Sequence, residues 1–208
     1  MTEPIGKEAA PALAPVAPQV RIVTDLGDIV IELYPDKAPR SASAFLAEVS
    51  ARSYDGGSFS RIVRADNDRG SPTIEVIQGV SADPAGLRAN VEVESTADTG
   101  LRHENGTISL PRQDGGHGTA QSFFLCIGAQ PALDEGGGRT VDGLGFAAFG
   151  RVVEGMDLAR IIHGSPTLED AQTEYLKGQV AAAPVVIHRM TVEGDASVAE
   201  CASSIARK

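Results

Sequence analysis

Apolar and polar positions alternate clearly from Val20 onward. The run VRIVT is followed by Asp25-Leu26-Gly27 and then by DIVIELY, in which Ile29, Ile31 and Leu33 alternate with Val30, Glu32 and Tyr34. A period of two on either side of a short turn predicts a β-hairpin. Pro35, Asp36 and Pro39 end the second strand, and Pro39 suits a first helical turn because its missing N–H would have no partner there. A helix is expected from there to about Ala51. Ala42, Phe45, Leu46 and Val49 recur at spacings of three and four, so one face should pack against the hairpin. Further strands are expected at Phe59–Val63, Thr73–Gln78, Gly106–Leu110, Phe123–Ile127 and Phe146–Val153, each bounded by Gly, Asp or Pro. Leu158, Ile161 and Ile162 give a late helix over Met156–Ile162, and Pro184 precedes a last strand, Val185–Thr191. Many short strands with two helices predict a mainly β domain closed as a barrel or sandwich.

The ends of the chain lack this patterning. Residues 8–18, AAPALAPVAPQ, have the composition of an extended linker. The expected organisation is an Ala/Pro-rich arm over 1–19, one domain over 20–194 and a tail over 195–208. A chain of 208 residues with 42% hydrophobic and 22% charged residues suits one packed core. A net charge of −10, from 18 Lys and Arg against 28 Asp and Glu, repels polyphosphate and argues against nucleic acid. No apolar run approaches the roughly 20 residues that span a bilayer, and MTEPIGKEAAP lacks a signal-peptide stretch. The expected location is cytoplasmic as the sequence stands, or periplasmic if a leader has been removed.

The usual catalytic motifs are missing. Cys126 and Cys201 are far apart without metal-ligand spacing, and read as one core thiol and one tail thiol. His103, His117, His163 and His188 sit in no HExxH or GxSxG context, so each reads as surface or satisfied core. Gly115-Gly116 and Gly136-Gly137-Gly138 are not followed by Lys-Ser/Thr and read as mobile loops rather than phosphate cradles. Neither a metal nor a cofactor is expected.

Six segments carry a more specific signal by their order: TDLGDIVIELYPDKAPRSASAFL, YDGGSFSRIV, EVIQG, GTISLPR, SFFLCIGAQPALD and FAAFGRVVEGMD. Together they resemble the cyclophilins, the peptidyl-prolyl cis/trans isomerases, especially their bacterial branch. The resemblance covers about Val20 to Thr167 and the strand Val185–Thr191. It implies a closed eight-stranded antiparallel barrel capped by two α-helices, with the substrate groove on the outer wall. The implied partners are proline-containing segments or unfolded proteins, bound by a monomer without nucleic acid or membrane. By the same resemblance Arg61 is the catalytic arginine and Gln78 the glutamine that orients it, with Phe59 beside them. Phe124 is the floor of the proline pocket and Leu133 its wall, while Phe123 points into the core by strand alternation.

Several positions depart from the family pattern. Glu75 stands where an aromatic residue is usual and is expected to pair with Arg61, followed by an acceptable Val76. Gln113 replaces the asparagine that grips the substrate backbone, and Arg112 before it is expected to narrow the groove. Ser122 replaces a glutamine, and Gln121 is displaced by one position onto the other face. Ala132 occupies the position tied to cyclosporin contact, and Phe146 that of the pocket-edge histidine. Residues 64–73 are expected to overhang the groove. The alternative reading is a low-activity cyclophilin-fold module that binds proline-containing peptides.

Overall fold

The predicted hairpin forms part of the wall of a closed sheet. The computed structural model describes residues 17–83, 90–112, 115–171 and 173–193. In chain order the strands are β1 (Gln19–Thr24), β2 (Gly27–Leu33), β3 (Ser58–Val63), β4 (Val76–Val80), β5 (Val91–Glu92), β6 (Thr107–Leu110), β7 (His117–Gly118), β8 (Ser122–Cys126), β9 (Ala147–Glu154), β10 (Thr167–Leu168) and β11 (Val180–Glu193). The helices are α1 (Pro39–Ser50), a short α2 (Thr96–Thr99) and α3 (Met156–His163). The main sheet runs β1-β2-β9-β6-β8-β4-β3-β11-β10, and β1 also pairs with β11. That last pairing closes eight antiparallel strands into a barrel, with β10 as an appendage. Closure leaves none of the eight as a free edge.

Side chains on alternate strand positions fill the barrel. Phe45, Tyr54, Phe59, Phe123 and Phe149 are fully buried. Phe45 from α1 lies 5.4–5.6 Å from the rings of Tyr54, Phe123 and Phe149. The predicted stripe of α1 is the buried one, with Ser41 added. Truncating an aromatic ring at such a site costs about 3–5 kcal/mol. The start of α1 is satisfied from a distance: the buried Glu94 carboxylate accepts from the Arg40 and Ser41 amides at 3.0 and 2.8 Å and from Ser41 Oγ at 2.7 Å. It supplies the cap that Ala38 cannot.

Two expectations are corrected here. Ile161 is 62% exposed, because α3 buries Leu158, Ala159 and Ile162 instead. The last strand begins before Pro184, not after it. It continues through a register irregularity between Val180 and Val185, where a residue without an N–H is tolerated. Gly79 is required by packing, since a Cβ there would come within 2.5 Å of the Phe123 ring.

Candidate active site

A second apolar cluster lies apart from the barrel interior, made of Val63, Ile74, Val76, Phe124, Cys126, Ala132 and Leu133 with Phe146 packed against them. It arises from the same alternation that builds the core. On β8, Phe123 and Leu125 face inward while Ser122, Phe124 and Cys126 take the other face. Burial pushes the Cys126 thiol well above its ordinary pKa, so it packs as an apolar group.

Arg61 reaches this outer face through a bulge. The β3–β4 register pairs Phe59 with Gly79 and Arg61 with Gln78, so Ser60 is the extra residue. A bulge of this kind re-aims the side chains that follow it. Without it Phe59 and Arg61 would share a face. With it, Phe59 points inward, fully buried and 5.7 Å from the Phe123 ring. The expectation that Phe59 contacts substrate is therefore overturned.

The Arg61 guanidinium is held by neutral groups. Its Nε and Nη2 donate to Gln179 Oε1 at 3.0 and 2.8 Å, and Nη1 donates to Gln78 Oε1 at 3.2 Å. The Tyr175 ring covers one face, its centroid 4.7 Å from Cζ. Gln78 also donates through Nε2 to Ser122 Oγ at 3.3 Å. No carboxylate among the described residues pairs with Arg61. The expected pairing with Glu75 is absent because Ile74, Val76 and Gln78 share one parity and Glu75 takes the other. Ile74, not Glu75, lines the pocket.

Beside Arg61 a cavity of about 90 Å³ is lined by Val63, Ile74, Val76, Gln78, Phe124, Leu133, Arg139, Phe146 and Tyr175, with Pro111 and Arg112. Phe124 forms its floor. The Phe146 ring meets Phe124 edge-on at 5.6 Å, and the His103 ring stacks against it at 6.1 Å. His103 is itself fixed, with Nδ1 2.8 Å from Asp134 Oδ1 and Nε2 3.1 Å from Ser109 Oγ. Burial alone would raise the Asp134 carboxyl, but hydrogen bonds from His103 outweigh it and hold the pKa below the ordinary range. Ala132 packs in the cluster without lining the cavity.

A larger polar cavity of about 610 Å³ adjoins it, lined by Arg61, Gln78, Asn90, Arg112, Gln121, Ser122 and Tyr175 among others. Gln121 and Ser122 both line it. Gln121 precedes β8 and escapes strict alternation, which corrects the expectation that it faces away. Gln113 lies outside the described residues, as do Cys201, residues 1–16 of the expected arm and the tail.

The Gly-rich loop, read from sequence as mobile, is tied down. Arg112 donates from Nε to Gly145 O at 2.7 Å and from Nη1 and Nη2 to Asp142 at 2.8 and 2.5 Å. Its guanidinium also lies 5.7 Å from the Phe146 ring. Arg112 thus serves as wall and tether together. Arg139 forms a bidentate pair with the buried Asp68 at 2.7 and 2.8 Å, joining the Gly-rich loop to the 64–73 segment. Ile74, Arg139, Tyr175 and Gln179 were missed from sequence. The Ile74-Val76-Gln78 alternation could have given the first, but nothing in the pattern pointed to the others.

The geometry agrees with comparison to known proteins. A peptidyl-prolyl cis-trans isomerase of Streptomyces antibioticus is 32% identical over 148 residues, 71% of this chain and 84% of that protein. Peptidyl-prolyl cis-trans isomerase A of Dickeya dadantii is 32% identical over 146 residues, 70% of this chain and 71% of that protein. A Cryptosporidium parvum cyclophilin type peptidyl-prolyl cis-trans isomerase superposes with a TM-score of 0.64 at 16% identity, covering 86% of this chain and 99% of that one. The same protein in the presence of the dipeptide Ala-Pro gives 0.63 at 17%. Residues 19–192 match the family described as cyclophilin type peptidyl-prolyl cis-trans isomerase/CLD, and the chain belongs to that family.

Proposed function

We propose that this chain rotates X-Pro peptide bonds in unfolded or loop segments, using Arg61 as the electrostatic donor and the cavity over Phe124 as the proline site. The reaction breaks no bond. It crosses a barrier of roughly 18–20 kcal/mol set by amide resonance. As the bond twists, the proline nitrogen recovers its lone pair and becomes pyramidal, so a donor aimed at that nitrogen favours the twisted form over either planar one.

The observation that carries this reading is the setting of Arg61. A guanidinium has five N–H groups. Those on Nε, one on Nη2 and one on Nη1 are committed to Gln179 and Gln78, which leaves one on each Nη for a substrate. Amide oxygens fix the group without neutralising it, and the apolar cavity beside it limits competing water. Val76, Leu133 and Phe146 would hold the ring while the chain on the amide side turns. Ser122, Gln121 and Arg112 would meet the flanking peptide. That the Cryptosporidium parvum protein was solved in the presence of the dipeptide Ala-Pro supports a proline-containing ligand for this groove.

Uncatalysed exchange takes tens to hundreds of seconds, and each ~1.4 kcal/mol of differential stabilisation is worth tenfold. The substrate class is tested by refolding a protein whose slow phase is limited by prolyl isomerisation. Catalytic amounts of this chain are expected to accelerate that phase. If it slows or captures the intermediate instead, the chain is a peptide-binding module.

A further inference from the structure

Tyr175 lies in the stretch between Leu168 and Pro184, outside every motif that carries the family resemblance. Its backbone belongs to a single 3-10 turn, Glu174–Leu176. That turn is anchored at its C-terminal end. Gly178 N donates to Leu168 O at 3.1 Å and Asn67 Nδ2 to Gly178 O at 2.7 Å, while Gln179 Nε2 donates to Asn67 O at 2.9 Å. The ring is therefore presented from a fixed support, yet the residue is 55% exposed. One face rests on Arg61, and the ring lines both the apolar cavity and the polar cavity beside it.

The two cavities share Arg61, Gln78, Pro111, Arg112 and Tyr175. A peptide with its proline over Phe124 must cross this shared boundary to continue into the larger cavity. The adjacent charges of Glu174 and Lys177 are paired to each other at 3.1 Å, so the aromatic surface is the main contact offered there. A cation already lies on one face of the ring and draws its π density. The remaining surface thus suits a second aromatic side chain better than a second cation.

We infer that Tyr175 is a specificity-determining residue that selects an aromatic side chain adjoining the proline. The inference rests on the isomerase reading of the same site. The test is exchange NMR on two peptide series, Ala-Xaa-Pro-Ala and Ala-Ala-Pro-Xaa, with Xaa as Phe, Ala or Lys. The wild-type chain is expected to favour Phe over Ala by about three- to tenfold in kcat/KM in one series, with Lys lowest. Tyr175→Ala should bring the Phe-to-Ala ratio to about one, and Tyr175→Phe should preserve it. A ratio near one in the wild type for both series overturns the inference. So does a ratio unchanged in Tyr175→Ala, even if all rates fall together, because that pattern means the ring only supports Arg61. If the wild type accelerates no peptide, the isomerase reading fails by itself. The same ratio measured as Kd by chemical-shift titration then decides the role of Tyr175.

Discussion

The side-chain carbonyl of Gln179 accepts two hydrogen bonds from Arg61, at 3.0 Å from Nε and 2.8 Å from Nη2, although the residues are 118 positions apart. Gln179 is fully buried, and its amide nitrogen is spent on Asn67 O at 2.9 Å. The carbonyl is thereby locked toward Arg61, and two of its hydrogen bonds set the guanidinium plane. Gln179 is a positioning residue for the proposed donor.

Gln179→Leu keeps the approximate volume and removes the acceptor. Because small misplacements of a catalytic group are costly, kcat/KM should fall about 10- to 100-fold, with the loss in kcat rather than KM. The Arg61 Nε–H signal in ¹H–¹⁵N spectra should shift and exchange faster with water, a change that a purely structural role at a distance would not produce. Activity within twofold of wild type would show that Gln179 does not position Arg61.

The hairpin, α1 and the inward Phe123 against outward Phe124 follow from strict periods, and periods report which face is apolar. Phe59 was misplaced because the bulge at Ser60 shifts parity by one, and a bulge leaves no mark on the hydrophobic pattern. Glu75 was misplaced by matching a motif position when the alternation of Ile74, Val76 and Gln78 already gave the pocket wall. Tyr175 and Gln179 were invisible for a different reason. They reach Arg61 through long-range closure of β11 against β3, and their own segment has no period to read.

Acid sensitivity follows from two carboxylates. Burial would raise Asp68, but hydrogen bonds from Arg139 and from the Gly70 and Ile74 amides outweigh it. Asp134 is held down in the same way, chiefly by His103. Both folded pKa values therefore lie below the unfolded value of about 3.9. The unfolded chain takes up protons first as pH falls, so the stabilisation is complete above about pH 4 and is lost as pH drops through the folded values. Asp68→Asn should lower the urea midpoint at pH 7, and the gap from wild type should shrink at pH 3. An equal gap at both values would show that the Asp68 charge contributes nothing.

Whether Arg61 supplies the charge that lowers the barrier is decided by exchange NMR on a proline peptide with the wild type and Arg61→Ala. The wild type is expected to accelerate cis/trans exchange, and the substitution to lower kcat/KM about 100- to 1000-fold, the usual cost of losing a preorganised donor. Exchange that remains within a few fold of wild type in Arg61→Ala would contradict that role of Arg61.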